Sequence, residues 1–106
     1  MPLSRTLAPS VEDILDAVIS VYDIDRSALF KSRRGEFNEP RNVAIYLFRY
    51  LRGETLLSIG KHFGLTRYSS VNSVISRVQA LRENNKNIEI RIKKINTDLN
   101  KSQEAT

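Results

Sequence analysis

Arg67, Tyr68, Ser69, Ser70, Asn72 and Ser73 place six hydrogen-bonding side chains within seven consecutive positions. The valines Val71, Val74 and Val78 of the same stretch recur at helical spacing, so the polar residues fall at the opening of a helix whose other side is apolar. Serine and asparagine compete with a helix backbone for hydrogen bonds and are poor choices for an exposed helix. Their concentration here suits one chemistry well: donors and acceptors displayed at a helix opening are what reading base edges in the major groove requires. A serine-rich opening that only caps its own helix is the plainer alternative.

Other chemistries find little to work with. His62 stands between Lys61 and Phe63 with no second histidine, no cysteine and no paired acid at a useful spacing, so a surface histidine is expected rather than a general base. Ser69, Ser70, Ser73 and Ser76 have no histidine and aspartate arranged to activate a nucleophile. With no cysteine and a single histidine, neither a disulfide nor a multi-histidine metal site is expected. The chain is read as no enzyme, with no catalytic residues, no metal and no cofactor.

Charge is distributed unevenly. Residues 31–82 carry ten Lys and Arg against three Asp and Glu, whereas residues 1–30 carry two against five. Most of the cations in the middle block are arginine, whose guanidinium fork matches phosphate and guanine. A polyanion is the first partner this implies, although an ordinary solvated basic surface would show the same count.

The elements that must position these residues follow from local signals. Val11, Ile14, Leu15, Val18, Ile19 and Tyr22 share a helical face, and Ser10 with Asp13 resembles a capping box, so a first helix is predicted over about 11–22. Asp25 can cap a single turn, 26–30, that puts Leu29 and Phe30 into the core. A basic loop, Lys31-Ser-Arg-Arg34 onward, leads to Asn38-Glu39-Pro40, a clear helix start because proline at the first turn loses no needed donor. This second long helix runs to about Leu51 and closes at Gly53, with Val43, Ala44, Leu47, Phe48 and Leu51 inward. Thr55 caps a short helix with Leu56, Ile59 and Phe63 inward, and Gly64 ends it where a left-handed residue is wanted. The next helix opens after Thr66 and meets no glycine or proline before the end of the chain. The fold class is therefore all-α, a helix-turn-helix domain of about five helices with a long or additional C-terminal helix. The domain is placed at 10–82, after a disordered tail at 1–9 and before a helical extension at 83–106.

From about Val11 to Glu83 the chain resembles the C-terminal DNA-binding domain of the bacterial replication initiator DnaA. The likeness rests on the basic loop Lys31-Ser-Arg-Arg34, then Glu39-Pro-Arg-Asn-Val-Ala-Ile-Tyr-Leu47, Leu57-Ser-Ile-Gly-Lys-His-Phe-Gly64, Ser-Ser-Val71 and Arg77-Val-Gln-Ala-Leu-Arg-Glu83. The resemblance implies roles by position. Arg33 matches an arginine that enters the minor groove, where narrow A·T-rich geometry concentrates negative potential. Arg41 and Arg49 match positions that hold phosphates, and Leu57 lies at a helix opening that approaches the DNA backbone. Tyr68, Ser69 and Ser70 stand where the family has His-Thr-Thr for reading bases, and Arg67 stands where it has aspartate. Lys31, Arg34, Lys61 and Arg77 are the remaining cations expected at phosphates, and Asn72 and Ser73 extend the base-reading set. The aspartate-to-arginine change replaces an acceptor of cytosine amino groups with a donor that favours guanine or phosphate. A site other than the family's usual box is therefore expected. Similar domains accompany transposase-like bacterial proteins, and the variant fits that branch as well as an initiator. No Gly-x-x-x-x-Gly-Lys-Ser/Thr nucleotide loop is present.

One further pattern is independent of the resemblance. Val71, Val74, Val78, Leu81, Asn85, Ile88, Ile92, Ile95 and Leu99 are spaced alternately three and four apart, a heptad seam with one polar member. As one helix it would span ~42 Å at the usual rise. Either the isoleucines fold back on the acidic first helix after a break near Asn84-Asn85, or Leu81, Asn85, Ile88, Ile92, Ile95 and Leu99 join two copies in a homodimer. The expected partner is double-stranded DNA. A protein-interaction module working through the seam from Val71 to Leu99, with only non-specific DNA affinity, is the competing reading. RNA is less favoured, because aromatic platforms are sparse in the basic block. No run of eighteen apolar residues and no secretory signal is read, so no membrane partner is expected and the protein is placed in the cytoplasm.

Overall fold

The first helix, α1 (Val11–Tyr22), is started by a reciprocal cap: Asp13 N–H donates to Ser10 Oγ at 3.0 Å and Ser10 N–H to the Asp13 carboxylate at 3.4 Å. It stops at Asp23, which adopts a left-handed conformation at φ 54°, one that aspartate tolerates better than most side chains. The structure, a computed structural model, describes residues 8–31 and 37–104, with side chains through Lys101. A 3-10 turn (Arg26–Phe30) follows and buries Leu29 completely. Asp25 precedes it without a side-chain cap bond. Phe30 departs from expectation: it is 42% exposed and stacks on Phe63 at 5.6 Å instead of entering the core.

Next come α2 (Glu39–Arg52), α3 (Leu56–Phe63), α4 (Tyr68–Asn84) and α5 (Lys86–Glu104). Asn38 and Thr55 cap α2 and α3, and Gly53 and Gly64 end them in the left-handed region at φ 67° and 72°. In α2 every residue from Arg41 to Phe48 is buried. A helix covered on all sides lies at the centre of its domain, and α2 packs on α1, α3, α4 and the 3-10 turn.

Of the two arrangements open for the chain after Thr66, the structure has the one with a break near Asn84-Asn85: α4 ends there and α5 folds back. Asn85 is extended at φ −131° and ψ 108°; its N–H closes α4 on Leu81 O, while its Oδ1 accepts from Asn87 N at 2.9 Å and Ile88 N at 3.4 Å. An asparagine side chain that satisfies backbone donors offers the chain an alternative to continuing the helix. Arg82 bridges the bend by donating to Glu89 from Nε at 2.6 Å and from Nη2 at 3.2 Å. The α5 helix then returns along α1 and α4. Ile88, Ile92, Ile95 and Leu99 are at most 5% exposed within the chain's own core, and Asn85 is exposed. The continuous seam is therefore corrected to an internal one, of which Leu81 is a half-buried member. A homodimer through these residues finds no support, because the isoleucines that would join two copies are already covered.

Two polar ties fasten the layers. Tyr22 of α1 donates to Glu39 of α2, which also accepts from Arg91 of α5 at 2.9 Å. Tyr46 of α2 donates to Gln79 at 2.9 Å and accepts from Arg82 at 2.9 Å, both on α4. Asp13, Asp16 and Asp98 line a shallow depression between α1 and α5 together with Ser20 and Lys101. Of the segment expected as a disordered tail, 1–7 lies outside the described residues, while Pro9 O accepts from Arg52 at 2.9 Å.

Candidate nucleic-acid interface

The helix-turn-helix consists of α3, the turn 64–67 and α4. Its tightness depends on Gly60. Leu65 N–H donates to Gly60 O at 2.9 Å, and a Cβ at Gly60 would lie 2.5 Å from Leu65 O and 3.5 Å from Val71 Cγ2. In an ordinary helix, alanine would be better than glycine by about 1 kcal/mol. Here Gly60→Ala is expected to destabilise by about 1–3 kcal/mol, read as a lower urea midpoint at unchanged m-value. A gain in stability would mean that the turn is looser than described.

Packing of α4 turns its polar opening outward. Val71 and Val78 are fully buried and Ile75 is 7% exposed, while Val74 is only half-buried. The sequence reading had taken Val74 for the inward position; the true face is i, i+4, i+7, and Ile75 supplies the middle contact. Arg67, Tyr68, Ser69, Ser70, Asn72 and Ser73 are all exposed, Tyr68 by 65%. Among the described residues, none of these six side chains hydrogen-bonds another part of the protein. Arg67 sits at the N-cap position without making a cap bond. The first N–H groups of α4 and its dipole face the same way, which favours negative charge there.

The expected phosphate contacts are placed as follows. Lys31, Arg49, Lys61 and Arg77 are exposed, and Leu57 is 57% exposed. Leu57 and Lys61 share an apolar depression with Gly60, Gly64, Leu65 and Thr66, beside the turn into α4. Arg49 donates to the backbone carbonyl of Glu54 at 2.9 Å, which leaves its charge uncompensated. The Arg77 guanidinium lies 4.6 Å from the Phe37 ring centroid. Arg33 and Arg34 lie outside the described residues.

Arg41 is placed differently from a surface cation. It is 8% exposed, its guanidinium donates to Phe63 O at 3.4 Å and stands 5.9 Å over the Phe63 ring, and its Nε has no partner. Burial pulls its proton affinity below the usual arginine value, though an arginine stays charged. Elsewhere cations are matched to acids: Arg26 to Glu12, Arg52 to Glu54, Arg82 and Lys93 to Glu89, and Arg91 to Glu39. Among the described residues, no carboxylate pairs with Lys31, Arg41, Arg49, Lys61, Arg67 or Arg77.

His62 belongs to the frame. Its Nε2 lies 3.0 Å from Glu54, which also accepts from Arg52 at 2.6 Å and Ser58 at 2.6 Å. Burial tends to raise the Glu54 carboxyl, but the bonds from Ser58, Arg52 and His62 outweigh it and hold the group below its ordinary range. This hub pins the corner between α2 and α3. Among the described residues, no group of three or more potential metal ligands is found, and no helix is long and apolar enough to cross a membrane.

Sequence reasoning missed Phe37 against Arg77, the stacking of Phe30 on Phe63 and the second use of Asn38. Its Nδ2 donates to Ala28 O at 2.9 Å and Lys31 O at 3.0 Å, besides the cap it provides. The cap could be read from Asn38-Glu39-Pro40, whereas the donations depend on tertiary placement that no local signal carries.

Comparison with known proteins agrees with this geometry. Residues 11–78 match the family described as the bacterial DnaA protein helix-turn-helix. Proteins named chromosomal replication initiator protein DnaA from Rickettsia canadensis, Rickettsia rickettsii and Rickettsia conorii are each 41% identical over 83 residues, 77% of this chain. The chain spans 18% of the length of these curated relatives. The transposase link expected from the Arg67 variant finds no support among them. With a matching family from α1 into α4, the chain belongs to the bacterial DnaA helix-turn-helix family and is a DNA-binding domain.

Proposed function

We propose that the chain reads double-stranded DNA in a sequence-specific way. The opening of α4, Arg67 to Ser73, enters the major groove, and Arg33 enters the adjacent minor groove. Lys31, Arg34, Arg41, Arg49, Lys61 and Arg77 hold phosphates, and Leu57 packs against the backbone beside them. The observation that carries this reading is Arg41, a buried cation with no acid among the described residues and an unpartnered Nε. A buried charge is costly unless it is paired, and a phosphate is the anion that a guanidinium fork fits best. The competing interaction module loses its working surface, since the seam it needs is in the core. Chromosomal replication initiation, named for the relatives, is the process this reading serves.

The test is fluorescence anisotropy on a duplex with a DnaA-type box, a shuffled duplex and a single strand, across a series of salt concentrations. Six phosphate contacts predict a slope of log affinity against log salt of about −5. Ser69→Ala or Ser70→Ala is expected to lower discrimination between the best duplex and a shuffled one by about 1–3 kcal/mol, with little change in slope. Box-selective binding would make the chain an initiator-type reader despite Arg67. Duplex binding without box preference would direct the search to a site with guanine or phosphate opposite Arg67. Equal loss on every sequence for the serine variants would remove the major-groove assignment.

A further inference from the structure

One side chain closes the path from the 3-10 turn to α2. Asn38 Oδ1 accepts from Arg41 N at 3.2 Å, and its Nδ2 donates to Ala28 O and Lys31 O. A helix cap needs only the first of these, and serine or aspartate would supply it as well. The two donations are additional, and they require an amide, which accepts and donates twice at once.

The flanking aromatics extend the attachment to both helices of the helix-turn-helix. Phe30 stacks on Phe63 of α3, and Phe37 lies against Arg77 of α4. Both phenylalanines remain substantially exposed, at 42% and 36%, so their positions are not explained by core burial. We infer that Asn38 and Phe37 are positioning residues of the DNA surface, holding Lys31 and Arg77 at a set spacing before DNA arrives. The inference rests on the DNA reading above. Asn38 fixes Lys31 directly through its carbonyl and fixes the backbone beside Phe37, whose ring lays out Arg77. An arginine loose in solvent gives up rotamer freedom when it meets a phosphate, whereas one already resting on an aromatic face gives up less.

The experiment uses the full chain and four variants: Asn38→Ser, Phe37→Leu, Arg77→Gln and the double Phe37→Leu/Arg77→Gln. Each is melted thermally and titrated against a mixed-sequence duplex by anisotropy at several salt concentrations. Asn38→Ser retains the cap but loses two hydrogen bonds, and is expected to melt a few degrees below the parent while staying folded at the binding temperature. Asn38→Ser and Phe37→Leu should each weaken binding about two- to ten-fold at the parent's salt slope, because no charge is removed. Arg77→Gln should shorten the slope by about one unit, and in that background Phe37→Leu should add nothing further. A purely structural role would lower affinity equally in both backgrounds. Parent-like affinity of Asn38→Ser and Phe37→Leu, or an undiminished effect of Phe37→Leu beside Arg77→Gln, would overturn the inference and leave the DNA reading intact. Failure of the parent itself to bind duplex at low salt would remove both.

Discussion

Arg41→Met is expected to weaken duplex binding about ten- to a hundred-fold while leaving the melting temperature unchanged or raised. The two halves of this result have one cause. The guanidinium is almost fully buried, and among the described residues it has a single long bond, to Phe63 O, and no acid paired with it. Charges that are removed from water without full compensation are often replaced by apolar groups of similar volume at no loss of stability. On the reading proposed above, the folded chain retains Arg41 at a cost that a DNA phosphate would offset in the complex. A hydrogen bond to a charged group is worth about 1.5–3 kcal/mol, which sets the size of the affinity loss. Thermal melting and anisotropy on the same sample decide it. A lower melting temperature with unchanged affinity would show Arg41 to be a packing residue of the α2–α3 contact and would sink the phosphate assignment.

The largest effect on stability is expected at Ile92. This side chain is completely buried where α5 returns along α1, so Ile92→Ala should cost about 2–5 kcal/mol, from lost transfer energy and the cavity left behind. Because the seam is internal, the unfolding midpoint of parent and variant should not depend on protein concentration. Denaturant melts over a hundred-fold range of concentration would check this. A midpoint that rises with concentration would return the isoleucines to an interface between copies.

These two residues also show where the sequence was legible and where it was not. The bounds of α1, the start of α2 at Asn38-Glu39-Pro40 and the stops at Gly53 and Gly64 were readable because capping and left-handed turns are local chemistry. The outward opening of α4 was readable for the same reason, since polar residues concentrated against valines define a face. The break near Asn84-Asn85 was legible only as one of two arrangements, because a three-four spacing describes a helix packed on its own domain as well as one packed on a second copy. The resemblance puts Arg41 at a position that holds phosphate and carries nothing about its burial. Its burial follows from α2 being covered on every side, a property of the assembly that a one-faced pattern does not carry. Phe30 and Ile75 were misjudged for related reasons: the direction of a side chain at the end of a turn, and the choice between adjacent apolar residues, depend on which neighbour arrives.

The acidic depression shared by α1 and α5 bears on how this chain meets its ligand. The carboxylates Asp13, Asp16 and Asp98 line it with Lys101 beside them, whereas among the described residues no carboxylate pairs with Lys31, Arg41, Arg49, Lys61, Arg67 or Arg77. On the DNA reading proposed above, the cations without acids draw a polyanion toward their own surface before any atoms touch. Salt then acts on arrival as well as on residence: as the screening length shortens, a growing share of encounters must begin at random and search.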